Sequence, residues 1–280
     1  MFLAGLFCLF RFFFDNGCSM KHMLRKLGIL SVVITSVYLF AFSSKSVSES
    51  KPLPRYTILQ TREQIVLDGQ LTENAWLKAP STGAFRLAND STMPKNTTMA
   101  KMLWDSTYLY VAFECADKNI IGRMTKRDAN LWEEEAVEVF ICPDDPVQHG
   151  YTEIELSPAN TLLDLFVRYT KEVNGAPAPV SLPYHTLNVD IRSAVSVRGT
   201  LNNESDSDTS WTVEMAIPFR DVAPVGGGLP KDGEVWRMNL YRMERFPERE
   251  FIAWSPTGLN KFHVPKRFGE IVFSTKKNEK

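Results

Sequence analysis

The chain has 280 residues with 32 basic and 33 acidic side chains, a net charge of -1 that excludes the basic surface nucleic-acid binding demands. Hydrophobic residues at 44% and charged residues at 23% match a globular chain with a packed core and exclude wholesale disorder. Eight of the 18 Phe fall within the first 42 residues while all six Trp lie beyond, so the N-terminus is a separate object. There Lys21, Arg25 and Lys26 precede an apolar run from Leu27 to Phe42, closed by Ala41-Phe42-Ser43-Ser44, the build of a secretory signal. Residues 1–43 are therefore expected to be an export signal, with residues 1–19 upstream of a start at Met20 or Met23. The run of 16 residues is shorter than the roughly 20 that span a bilayer, so cleavage is the expectation and an uncleaved anchor the alternative. Nothing beyond this segment points to a membrane, and export implies a secreted or periplasmic protein. Only Cys115 and Cys142 then remain, and an oxidising compartment permits a bridge between them without establishing one.

Residues 44–55 are rich in Ser, Lys and Pro with little to bury and read as a linker; the folded domain is expected over residues 56–276. A short helical pattern occupies Leu71 to Ala79. Ten strands follow by composition and period-two patterning: Thr98–Trp104, Tyr108–Ala116, Ala136–Cys142, Thr152–Leu156, Leu162–Tyr169, Leu187–Val197, Ser210–Ile217, Val235–Met243, Phe251–Trp254 and Phe268–Phe273. In the second, Leu109, Val111, Phe113 and Cys115 share one face and Tyr108, Tyr110, Ala112 and Glu114 the other. Strands without a βαβ rhythm predict an all-β fold, an antiparallel β-sandwich of about ten strands with one short N-terminal helix. Three connections are long: Asp117 to Glu135, the Pro-bearing Asn174 to His185, expected to be a stiff excursion, and the Gly226-Gly227-Gly228 turn running to Gly233.

Catalytic motifs are sparse. The four His form no HxH or HExxH pattern, no GxSxG elbow is present, and the Gly226 to Gly233 loop lacks the ending that cradles phosphate. Glu133, Glu134, Glu135 and Glu138 cluster near a strand start, and Glu153 and Glu155 alternate along another. Two carboxyls at i and i+2 lie roughly 6.5–7 Å apart on one sheet face, a spacing an inverting glycosidase uses, but a charged wet face is the simpler reading. A structural calcium is expected without a located site; Asp117, Asp128, Asp144, Asp145 and Asp164 are loose candidates, none in an EF-hand pattern. No other cofactor is expected.

Four segments stand in order: Val66-Leu67-Asp68-Gly69 leading to Trp76; Met102-Leu103-Trp104-Asp105 to Phe113, followed by Leu131-Trp132-Glu133-Glu134-Glu135-Ala136-Val137-Glu138-Val139-Phe140-Ile141; Trp211 to Phe219; and Phe251 to Pro256 with Phe262 to Ile271. Together they resemble the family 9 carbohydrate-binding modules and the wider DOMON-like sandwiches. In the first, Asp68-Gly69 suits a turn, Thr72 a helix cap, and Trp76 a core plug. The resemblance implies a cleft where two rings hold a saccharide, Trp132 as one and Phe262, in place of a second Trp, as the other. Such rings pack on the C–H faces of a pyranose while polar groups meet its hydroxyls. Glu138 matches a family residue that bonds sugar hydroxyls. Glu155 and Tyr241 stand where well-known members carry Arg and an amide, and Arg242 and Asn260 are nearby polar candidates, with an ion pair on a strand face as the plainer role for Arg242.

The expectation is therefore an exported, non-catalytic protein binding a saccharide, with a separate glycoside hydrolase as a candidate partner. Two rivals follow from other classes. Sandwich relatives hold haem through Met with His or Lys, and His263, Met102, Met238 and Met243 supply such ligands here. A glycosidase would use Glu138 with Glu153 or Glu155.

Overall fold

The computed structural model describes residues 52–276 apart from 174–175, 184–189, 223–227 and 247. The expected export signal, the linker as far as Lys51, the strand start at Leu187–Val189 and the Gly226-Gly227 part of the glycine turn lie outside these residues. Among the described residues, no helix is long and apolar enough to cross a membrane.

The fold is β throughout. In chain order come β1 (Arg55–Gln60), the helix α1 (Asn74–Lys78), β2 (Arg86–Leu87), β3 (Thr98–Trp104), β4 (Tyr108–Ala116), β5 (Ala136–Cys142), β6 (Tyr151–Leu156), β7 (Leu162–Val173), β8 (Ala176–Pro183), β9 (Arg192–Arg198), β10 (Ser210–Pro218), β11 (Val235–Glu244), β12 (Glu250–Ala253) and β13 (Gly269–Ser274). Hydrogen bonding runs through the order β8-β7-β6-β5-β11-β13-β1-β3-β4-β10-β9, with β12 beside β11 and β2 beside β12. The expected strands are present within a few residues at each end. The Pro-bearing excursion is corrected: its residues 176–183 form β8, which pairs antiparallel with β7 at the end of the path, an edge position where a missing N–H costs no ladder bond. Strand β1 also departs from the antiparallel expectation, running parallel to both β13 and β3.

Period-two patterning explains why the path doubles over. Leu109, Val111 and Phe113 of β4 and Val213 and Met215 of β10 meet Val137, Val139 and Ile141 of β5, Ile154 of β6 and Met238 and Leu240 of β11 in one core. Each half also carries a second apolar layer on its outward face. Behind β3, β4 and β10 lies α1, whose buried Trp76 packs with Leu103, Tyr110 and Ala112. Behind β5, β6, β7 and β11, a second layer joins Phe140, Tyr151, Leu163, Leu165 and Tyr241 to Leu131, Phe262 and Phe268 from the loops above.

Trp76 is the core plug expected, and its indole N–H donates to Glu214 Oε1 at 2.8 Å. The Asp68-Gly69 turn is held by the same carboxylate, whose Oε2 accepts the Asp68 and Gly69 N–H groups at 3.0 and 2.8 Å. Gly69 has φ +78°, and a Cβ there would meet Ser196 N at 2.5 Å, so both the turn and the packing require glycine. Thr72 is not the cap: Glu73 occupies that position without a side-chain bond, and Glu63 Oε2 accepts the Ala75 N–H at 2.7 Å.

Cys115 and Cys142 are free and buried. They pack in different layers, Cys115 in the main core and Cys142 behind β5, and alternation on their strands keeps the thiols apart. Burial pushes the Cys115 thiol up to about 12 and the Cys142 thiol up to about 11, so neither is reactive at neutral pH.

Candidate functional site

Strands β5, β6 and β11 bring the site together by register. Glu138 lies opposite Glu155 on β6 and opposite Tyr241 on β11, and Glu153 shares the outward face of β6 with Glu155. The loops above that face seal it, leaving Glu138, Glu153 and Glu155 only 2%, 3% and 1% exposed. The charged wet face expected for Glu153 and Glu155 is thus overturned: the strand is buried on both sides, and the three carboxyls offer oxygens all within 4.8 Å of one another.

Burying three acids together raises their affinity for protons. Glu138 is held well above the usual carboxylate range by burial, then by Glu155 and Glu153, with Arg245 pulling the other way. Glu153 is raised by burial and by Glu155. Burial lifts Glu155 to about 7, restrained by its bond to Glu153 and by the Trp132 backbone N–H, which donates to it. Oε2 of Glu153 and Oε2 of Glu155 are sealed from solvent and meet no hydrogen-bond partner among the described residues.

Trp132 sits on a single 3-10 turn, Leu131–Glu133, pinned by buried Leu131 and by Arg245, whose guanidinium donates to the Trp132 carbonyl. Trp132 is 39% exposed, the most open Trp, Tyr or Phe among the described residues. Phe262 differs from the expectation of a second open ring. It is 4% exposed and stacked on Tyr241 with centroids 4.2 Å apart, while its backbone carbonyl accepts the Tyr241 hydroxyl at 2.8 Å. Tyr241 also takes a bond from Asn239 Nδ2 at 2.8 Å, so its hydroxyl serves the frame of the site. Beside them His263 Nδ1 lies 2.6 Å from the Tyr151 hydroxyl and 3.9 Å from Glu153 Oε2, and burial lowers its proton affinity. Asn260 is exposed on the 258–261 loop before Phe262.

Arg242 is corrected as a member of this face, since alternation along β11 turns it away from Tyr241 and into the interior. There it is fully buried and reaches Asp117 Oδ2 and Glu244 Oε2, each at 2.6 Å, and the Ala116 carbonyl at 2.7 Å. Glu135 completes a second acidic trio with Asp117 and Glu244. Burial first, and then the charges of Glu244 and Asp117, lift Glu135 to about 11.

Arg245, one residue past the strand, reaches the site that Arg242 was expected to reach. Its sequence signal is weak, because alternation ends with β11 and only the loop path brings it over Trp132. Glu153 is equally part of the trio, readable from its i, i+2 spacing to Glu155 once both strand faces are known to be covered.

The looser expectations fare less well. Asp144 pairs with His149 at 3.0 Å in a turn, Asp145 accepts the Val147 N–H at 2.8 Å, and Asp164 pairs with Arg127 at 2.5 Å, so these three calcium candidates are not brought into one group, whereas Asp117 lies with Glu135 and Glu244. Met102 and Met238 are fully buried in the main core, while Met243 and His263 belong to the layer behind β5 and β11, so the four haem-ligand candidates are divided between two layers. A glycosidase pair needs carboxyls about 5–9.5 Å apart with substrate between them. The trio is closer than that and closed to solvent.

The family described as carbohydrate family 9 binding domain-like matches residues 67–276. An "Extracellular protein" of Arthroderma benhamiae is 27% identical over 197 residues, 66% of this chain and 83% of that protein. Endo-1,4-beta-xylanase A of Thermotoga maritima is 23% identical over 207 residues, 74% of this chain but 16% of the enzyme. Among solved structures, a candidate carbohydrate-binding protein of Bacteroides uniformis shares 18% identity at a TM-score of 0.61, covering 80% of this chain and 100% of that one.

Proposed function

The chain belongs to the carbohydrate family 9 binding domain-like family, and from that premise we propose that it is an exported, non-catalytic protein that binds a saccharide against Trp132. The observation that carries the reading is the exposed Trp132 ring, held on a pinned turn directly above buried acidic groups. A pyranose face packs on such a ring through its polarised C–H groups, and Arg245 and the neighbouring loops offer partners for the hydroxyl rim. With Phe262 stacked on Tyr241, a two-ring clamp would need the 258–263 loop to release that stack; a one-ring platform needs no rearrangement.

Export is supported by the signal-like segment to residue 43 and by the extracellular relative, with secretion and the periplasm both compatible. The domain is taken as residues 56–276 after a linker. The likeness to a small part of a xylanase supports a supporting role beside a separate glycoside hydrolase, holding it near its polymer. Calorimetric titration with xylo- and gluco-oligosaccharides, run alongside Trp132→Ala, tests the site. The expected outcome is binding that weakens at least about fivefold in the variant, since stacking contacts of this kind contribute roughly 1–3 kcal/mol. Binding that is undiminished in Trp132→Ala, or no heat with any saccharide from folded protein, overturns the reading.

A further inference from the structure

Strands β11 and β12 form a hairpin whose last ladder pair is Glu244 opposite Glu250, so Arg245 and Arg249 stand at its turn, one on each arm. Arg245 donates to the Trp132 carbonyl and sits beside the turn that carries the exposed ring. Arg249 is exposed and lies over the Phe251 ring, its guanidinium carbon 4.5 Å from the centroid. Phe251 in turn meets Phe262 edge-on, with centroids 5.4 Å apart. The two guanidiniums are near enough that burial first, and then the charge of Arg249, lower the proton affinity of Arg245, while Glu133 and Glu138 pull the other way from beyond ion-pair distance. Other bases around this end are matched: Lys95 pairs with Glu248 at 2.6 Å, Arg123 with Glu204 and Arg127 with Asp164. Among the described residues, neither Arg245 nor Arg249 has a carboxylate within ion-pair distance, and Arg245 Nε meets no acceptor. Like charges facing each other across a hairpin oppose folding, and an anion between them relieves that cost.

We propose that Arg245 and Arg249 select an acidic saccharide, binding the carboxylate of a hexuronic acid residue whose sugar face rests on Trp132. A planar guanidinium fork matches carboxylate geometry with two parallel N–H donors, which an ammonium does not. A hexuronic acid carries its carboxylate on the edge of the pyranose ring, where groups beside an aromatic platform meet it. The inference rests on the reading of Trp132 as a saccharide platform and names the class of sugar that platform takes. Galacturonan and glucuronic acid-bearing xylan both offer this chemistry.

Oligogalacturonides and glucuronic acid-bearing xylo-oligosaccharides are each titrated by calorimetry beside their methyl esters, which keep the ring and remove the charge. The expected result is acid bound at least about tenfold more tightly than ester, in whichever series supplies the natural ligand. Arg249→Gln removes an exposed side chain that donates to no buried group, and it should cut that ratio at least about fivefold. Arg192→Gln, which takes a guanidinium from over the Tyr108 ring beside β9, should leave the ratio unchanged. Trp132→Ala should weaken acid and ester by similar factors. Acid and ester bound equally, with both weakened in Trp132→Ala, would remove the acidic preference and leave the ring platform standing; no binding of either would remove both. A preference that survives Arg249→Gln, a preference abolished by Arg192→Gln, or acid binding undiminished in Trp132→Ala would each overturn the assignment.

Discussion

At the scale of single residues, Arg242 and Glu135 show how a buried ionic cluster is balanced. Arg242 donates to Asp117, Glu244 and the Ala116 carbonyl, and Asp117 also accepts the Trp211 indole N–H at 3.1 Å. Two acids are thereby matched, and Glu135 is the third, keeping its proton in the fold. A free glutamate loses that proton near 4.5, the folded Glu135 near 11. Between those values the native state binds more protons than the unfolded chain, so this group's contribution is fully present below pH 4.5 and is lost as pH rises toward 11. The slope is at most about 1.4 kcal/mol per pH unit. Glu135→Gln keeps a neutral donor of the same shape, so its stability relative to the parent should climb between pH 6 and 10 in urea unfolding. Parallel curves for the two proteins would show that Glu135 ionises normally.

At the scale of elements, alternation decides which side chains can act together. Along β5, Val137, Val139 and Ile141 enter the core while Glu138 and Phe140 face outward; β11 repeats the pattern with Leu240 inward and Tyr241 outward. A shift of one residue in β5 would exchange Glu138 with a valine, and one in β11 would exchange Tyr241 with Leu240 or Arg242. The Asp68-Gly69 turn and α1 depend in the same way on one residue of β10. Glu214 accepts from the Trp76 indole and from two backbone N–H groups, so Glu214→Ala strands three buried or half-buried donors. A loss of about 2–4 kcal/mol is expected in denaturant unfolding, with the midpoint lowered and the slope unchanged. A loss below about 0.5 kcal/mol would mean that water replaces the carboxylate at little cost.

At the scale of the whole molecule, the two chain ends of the domain lie side by side. Strand β1 runs between β13 and β3, so Arg55 bonds Glu270 at 2.6 Å across 215 residues of sequence. The joint is also a core element: Tyr56, Ile58, Ile271 and Phe273 all enter the main core. Ending the chain before Gly269 removes β13 and exposes the flank of β1 and half the flank of β11. The expected outcome is loss of the near-ultraviolet circular dichroism of the packed Trp residues, with saccharide binding lost as well. A cooperative unfolding transition in the shortened protein would show that the two halves hold together without this closure.

The sequence by itself determined the class of fold and most of its strands, because period two and β-branched runs are local properties that burial on either face preserves. It also marked Trp76 as core and Trp132 as exposed, since one follows an Asp-Gly turn and the other stands in an acidic stretch. It did not distinguish a strand with one wet face from a strand buried on both, so Glu153 and Glu155 looked solvated until the loops above β6 were in place. It likewise left β8 looking like a loop, because prolines are tolerated at a sheet edge and being an edge is a property of the assembled sheet. The partners of Phe262, Arg242 and Arg245 were decided only by tertiary structure. Each depends on contacts between segments far apart in the chain, and no local pattern encodes which of two alternating faces a distant loop will cover.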